Sequence, residues 1–106
     1  MNEIIVPKYL YKILSVDDWS KSQSRKNIQL SVDDEEFIHF STEEQLDKII
    51  AKYWGVKSNY IVLKVFTEKL NGKMVFESNP GGVNKYYHLY EGSIPLEAVV
   101  EARLNK

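Results

Sequence analysis

The sequence predicts a small single α+β domain, with a mostly antiparallel or mixed sheet and two helices. Three observations predict it. Segments of strand composition recur at 8–14, 60–66, 73–77, 86–90 and 98–104. They are rich in the aromatic and β-branched side chains that suit a pleated surface. Two segments, 16–22 and 42–54, carry helix-start signals. A chain of 106 residues with 43% hydrophobic content supplies one core and not two.

The elements follow in order. Residues 1–7 form a leader expected to be loose, ending at Pro7, which disfavours helix before it. The core of the domain is expected over 8–104, in one domain spanning 1–106. Lys8 to Leu14 is the first strand. Ser15 with Asp18 approximates a capping box and predicts a helix over 16–22, from which Trp19 turns inward. Ile28-Gln29-Leu30 is a short strand or an anchored loop. Asp33-Asp34-Glu35-Glu36 reads as a solvated acidic loop, lacking the spaced ligands and turn glycine of a calcium site.

Phe37 to Ser41 is a buried strand feeding directly into the helix at 42–54. Thr42 with Gln45, or Ser41 with Glu44, caps that helix, Leu46, Ile49, Ile50 and Tyr53 recur at helical spacing, and Gly55 supplies the stop. Tyr60 to Phe66 is almost continuously apolar, as in a strand covered on both faces. Thr67 to Gly72 is a turn or one helical turn, and Lys73 to Glu77 is the next strand. Asn79-Pro80-Gly81-Gly82 is strong turn chemistry. Tyr86 to Tyr90 alternates Tyr86, His88 and Tyr90 against Tyr87 and Leu89, and Gly92 is expected to break it. Ile94-Pro95-Leu96 turns the chain into a last strand.

Composition excludes several classes. The formal net charge is −1 with both signs interspersed, so there is no electrostatic footprint for nucleic acid or an anionic membrane. No apolar run approaches the roughly 20 residues that span a bilayer. The N-terminus has no secretory character, which makes a cytoplasmic protein the default. With no cysteine there are no disulfides, thiolate nucleophiles or cysteine-bearing zinc sites.

The chemistry-bearing residues centre on the strand at 37–41. Strand alternation puts Phe37, His39 and Ser41 on one face, so an imidazole and a hydroxyl can reach one ligand together. The other histidine, His88, and Glu77 also lie on apolar strands and are expected to converge on the same cleft. Three chemistries compare there. A serine nucleophile lacks the Gly-x-Ser-x-Gly elbow before Ser41. A metal site of His39, His88 and Glu77 has the right ligand count but no supporting local spacing. A pocket in which His39 and Ser41 hydrogen-bond a sugar or phosphate, with a tyrosine against a ring, asks least of the sequence. No dinucleotide-binding glycine fingerprint or phosphate-loop pattern is present.

Tyr11-Lys12-Ile13-Leu14 followed by Trp19, Phe37-Ile38-His39-Phe40-Ser41-Thr42 with Gln45, Glu77 before Gly81-Gly82, and His88-Leu89-Tyr90 followed by Ile94-Pro95-Leu96 form an ordered set. Over about residues 9–103 it resembles the bacterial family called domain of unknown function 952. The resemblance implies an ADP-ribosyltransferase-like fold, with which members are grouped, and no established activity. It implies that His39 and Ser41 hold an NAD ribose and nicotinamide, and that a tyrosine, Tyr11 or Tyr90, stacks on the ring. By the same resemblance Glu77 is the carboxylate that orients the ribose, and His88 is placed beside it as the second candidate catalytic residue. Glu36 stands where the family usually has glycine, and Pro80 where arginine is common.

The reading is therefore an ADP-ribosyltransferase-like domain whose cleft takes a small-molecule ligand, NAD or a related ribosyl or phosphoryl compound. NAD would enter as a substrate, and no resident cofactor or metal is assigned. Two alternatives stand beside it: a non-catalytic binding or interaction module of the same fold, and a small metal-dependent hydrolase using His39 and His88. Turnover, partners and oligomeric state are left open by the residues.

Overall fold

A computed structural model describes residues 5–55 and 59–105. Among the described residues, six strands form two three-stranded antiparallel sheets. In the first, β1 (Tyr9–Ser15) and β6 (Val99–Asn105) flank β3 (Tyr60–Phe66). In the second, β2 (Ile38–Phe40) and β4 (Asn71–Ser78) flank β5 (Lys85–Ser93). The helices are α1 (Val16–Ser22) and α2 (Leu46–Ile49). The domain is thus α+β with every strand pair antiparallel, so the mixed-sheet option falls away. Among the described residues no helix is long and apolar enough to cross a membrane.

Alternation along the strands builds the core. Leu10 and Leu14 of β1 stand on one face with Ile61, Leu63 and Val65 of β3, and meet Ile38, Phe40 and Leu89 from the second sheet. Ile28, Ile94 and Ala98 close the ends of this interior. The opposite face of the first sheet presents Tyr11, Tyr60 and Val62, which are covered by Leu46, Ile50 and Trp54. Lys12 shares the inner face with Leu10 and Leu14, so its charge is buried and requires a counterion.

The helix signals resolve in detail. Ser15 caps α1 by accepting from the Asp18 amide, and Trp19 packs on the core. Thr42 and Gln45 form a reciprocal capping box. Behind it the helix is not uniform: a 3₁₀ turn (Glu43–Gln45) leads into α2, and a π-helical turn (Ile50–Trp54) ends it. Gly55 keeps right-handed helical torsions, so it is not the left-handed stop expected of it. Ala51 O would lie 2.8 Å from any Cβ there, so close approach is what favours glycine at this position.

Of the two readings of residues 28–30 the anchored loop holds: they form no strand, and Ile28 is pinned by its amide to Ile94 O at 2.8 Å. One further expectation is corrected. Gly92 does not break β5 but lies inside it, opposite a bulge in the β4 pairing between Asn71 and Lys73. A Cβ on Gly92 would fall 2.0 Å from Asn71 O, so only glycine lets the two backbones meet. Of the expected leader, residues 1–4 lie outside the described residues. Residues 5–7 rest against the domain, with Val6 on the core and the Tyr87 hydroxyl donating to Ile5 O.

Candidate functional site

The site arises where the two sheets part. Tyr11 and Ser41 exchange both backbone hydrogen bonds, at 2.8 and 2.9 Å, and this single bridge joins β1 to the end of β2. Beyond it the strands diverge. Because Tyr11 turns its amide and carbonyl away from β3, strand geometry turns those of Ile13 the same way. They have no partner among the described residues and lie on the free edge of β1. A cleft of about 700 Å³ opens along that edge, walled by β1, β2, the 50–54 turn and the Asn79–Pro80 corner.

His39 and Ser41 line this cleft, as does Tyr11. The face assignments explain what stands behind them. His39 pairs with His88, and His88 with Val75, so His39, Tyr86, His88, Tyr90 and Glu77 share the face of the second sheet turned away from the core. Phe37 folds over this face, stacking on the His88 ring at 4.1 Å and approaching Tyr90 at 5.2 Å. His88 is fully buried as a result.

Two polar groups meet on that face. In the first, Asp34 Oδ1 takes three donors: Lys12 Nζ at 2.8 Å, the His39 amide at 3.0 Å and His39 Nδ1 at 3.0 Å. Burial pushes the Asp34 carboxyl up, but the His39 hydrogen bond and the Lys12 charge outweigh it and hold it down at about 2. An ionised carboxylate only accepts, so His39 donates from Nδ1 and its Nε2 is left for the cleft. In the second group, Glu77 Oε2 receives His88 Nδ1 at 2.8 Å and the Tyr90 hydroxyl in a short hydrogen bond. His88 Nε2 meets the Asn79 side-chain amide at 2.9 Å. The Tyr90 bond, then His88, lowers the Glu77 carboxyl from its ordinary value, and the Glu77 bond raises the Tyr90 phenol to about 12. The His39 and His88 rings meet edge to face at 5.4 Å, so the groups adjoin.

Of the expected residues, His39, Glu77, His88 and Tyr90 share one face of the second sheet, with Tyr11 on the first, and they do not all meet in one cleft. His39, Ser41 and Tyr11 line it, whereas Glu77, His88 and Tyr90 form the wall behind His39. Glu77 sits two strands from His39, roughly 10 Å by sheet spacing. No hydrogen bond joins Ser41 Oγ to His39 among the described residues, so the serine is not activated as a nucleophile in this arrangement. Among the described residues no three His, Asp or Glu side chains converge on a metal-sized site, which leaves the hydrolase alternative without a ligand set.

Sequence reasoning missed Lys12, Asp34, Asn79 and Tyr86. Asp34 overturns the reading of 33–36 as a wholly solvated loop: it is buried, held by a turn at Val32–Asp34. The signal was available, since a lysine on the inward face of β1 demands an anion and the acidic run precedes β2.

The comparisons with known proteins place this geometry. The model of a family described as protein of unknown function (DUF952) matches residues 13–102. The crystal structure of protein CC0527 from Caulobacter crescentus is similar, with a TM-score of 0.76 and 28% identity. The match covers 91% of this chain and 84% of that one. The solution structure of CC0527 gives a TM-score of 0.74 at 28% identity, covering 91% of this chain and 83% of that one. No curated protein matches the chain.

Proposed function

The chain belongs to the DUF952 family, and from that premise we propose that the cleft at the β1–β2 parting binds a ribosyl ligand, NAD or a related ribosyl or phosphoryl compound. The observation that carries the proposal is the parting itself. It sets the free backbone edge of Ile13, the Ser41 hydroxyl and the Asp34-oriented His39 around one concave space. An unpaired strand amide and carbonyl suit a carboxamide, which presents one donor and one acceptor in return. The hydroxyl and His39 Nε2 suit sugar hydroxyls, and Tyr11 and Trp54 supply ring surfaces. The ADP-ribosyltransferase-like assignment, with Glu77 and His88 acting on the bound ribose, is part of the proposal.

Thermal unfolding in the presence of NAD, ADP-ribose, nucleosides and their phosphates tests it. A ligand at about 100 times its Kd adds roughly 2.7 kcal/mol, which is a shift of many degrees in a domain of this size. His39→Ala is expected to abolish the shift. No shift with any of these compounds, or one untouched in His39→Ala, refutes the proposal.

The second reading, binding without turnover, is favoured by one observation: the Glu77 carboxylate is engaged by Tyr90 and His88 behind the cleft wall. Release of nicotinamide from NAD, measured for the native chain and Glu77→Gln, separates the two. Turnover that disappears in Glu77→Gln supports transfer chemistry; binding with no turnover supports the module.

A further inference from the structure

The charge in the cleft runs against a dinucleotide. Among the lining residues the cation is Lys12, and its ammonium is held 2.8 Å from Asp34. The same lining carries Asp18, in the first turn of α1, and Asp33, in the turn at 32–34. Neither side chain has a hydrogen bond or contact ion pair among the described residues; Asp18 senses Lys21 only through space. Pro80 supplies no charge at the corner. A diphosphate laid along this wall would meet two uncompensated carboxylates and no free cation among the described residues.

A second observation points to a ligand of the opposite kind. Asp34 Oδ1 receives all three donors that reach this side chain, so Oδ2 has no donor among the described residues. Ser41 Oγ likewise has no partner among the described residues. Both residues line the cleft and are more than nine-tenths buried, at 8% and 7% exposure. The described residues hold no buried polar side-chain atom without a partner, so these two atoms are the ones their residues leave open to solvent, where a ligand can reach them. The lining also includes the aromatic side chains Tyr11, Trp54 and Tyr86, and aromatic rings attract a cation through their quadrupoles.

Resting on the ribosyl reading above, we infer that the cleft selects a ribosyl ligand whose ring is a cation and which carries no diphosphate: an N-ribosylated aromatic cation, not a dinucleotide. The ring lies among the aromatic side chains under the field of Asp18, Asp33 and Asp34. The ribose hydroxyls donate to Asp34 Oδ2 and exchange a hydrogen bond with Ser41 Oγ. The acidic wall holds phosphate away.

Titration calorimetry with nicotinamide riboside, NAD and the neutral nucleoside inosine tests this, on the native chain and on Asp18→Asn/Asp33→Asn. Asp33 is exposed and Asp18 half-buried, and neither side chain holds a hydrogen bond among the described residues, so the double variant keeps the fold. The riboside is expected to bind about tenfold tighter than NAD or inosine at low salt. The preference over NAD is expected to shrink severalfold in the double variant and in about 0.5 M NaCl. NAD or inosine binding as tightly as the riboside overturns the inference while leaving the ribosyl reading intact. So does a preference that the double variant leaves unchanged. Failure of all three compounds to bind overturns the inference, and when ADP-ribose and the nucleoside phosphates also give no thermal shift it overturns the ribosyl reading with it.

Discussion

Asp34→Asn is the substitution that most directly tests how the site is held. It leaves the Lys12 ammonium, with a side chain 7% exposed, facing an amide instead of a carboxylate. Breaking one partner of a buried ion pair costs about 3–5 kcal/mol, because the remaining charge has no compensation. Linkage gives an independent measure. A fall in the carboxyl from 3.8 to about 2 on folding corresponds to roughly 2 kcal/mol. The mutational figure is larger because it includes the stranded lysine. Since the folded value is depressed, this stability is complete above the ordinary carboxylate value and is lost as pH falls through about 2. Urea unfolding followed by tryptophan fluorescence reads the cost as a drop in midpoint at constant slope. Lys12→Met combined with Asp34→Asn removes both charges and keeps an oxygen acceptor for the His39 amide. That pair is expected to return to within about 1 kcal/mol of the native chain. A single-variant cost below about 1 kcal/mol, or a double variant as unstable as the two singles added together, refutes the buried pair as the element that positions His39.

Three other outcomes follow from the geometry. The Tyr90 phenol, raised from 10.0 to about 12, is expected to ionise last in an ultraviolet titration, and Glu77→Gln to bring it back down. Its raised value means that the Glu77–Tyr90 bond contributes fully below the ordinary phenol value and is lost as pH rises through about 12. Gly92→Ala drives a Cβ into Asn71 O and is expected to cost about 1–3 kcal/mol or more in chemical unfolding; a neutral result would mean that the bulge is not tight. Thr42→Ala breaks the capping box and should cost about 1 kcal/mol by the same assay.

What was legible in the sequence depended on whether a residue's role was local. The capping signals at Ser15 and Thr42, the apolar run of β3 and the alternation in β5 each lie within a few residues, and the strands and helix starts fall where they predict. Gly92 misled because a glycine inside a strand carries the same local signature as a glycine that ends one. Only the approach of Asn71, some twenty residues away, distinguishes them. Residues 28–30 stayed open between strand and anchored loop because two apolar side chains pinned to the core have the spacing of a strand without its ladder.

The site divides along the same line, and the division bears on function. That His39 and Ser41 share a face is a consequence of period two, readable from three letters. That Asp34 orients His39 while Glu77 orients His88 depends on which acid reaches which imidazole across the sheet. Each histidine has its own carboxylate, so neither carboxylate is needed by the other ring. The two pairs nevertheless differ in what they leave over. Asp34 retains an oxygen on the cleft and leaves His39 Nε2 facing it. Glu77 shares one oxygen between His88 and Tyr90, while His88 uses both of its nitrogens. The unspent hydrogen-bonding capacity is therefore on the Asp34–His39 side. A ligand that enters the cleft meets that pair first, and it is His39, with a half-exposed ring, rather than buried Asp34 or the Glu77–His88 pair, whose substitution should change affinity at little cost to the fold.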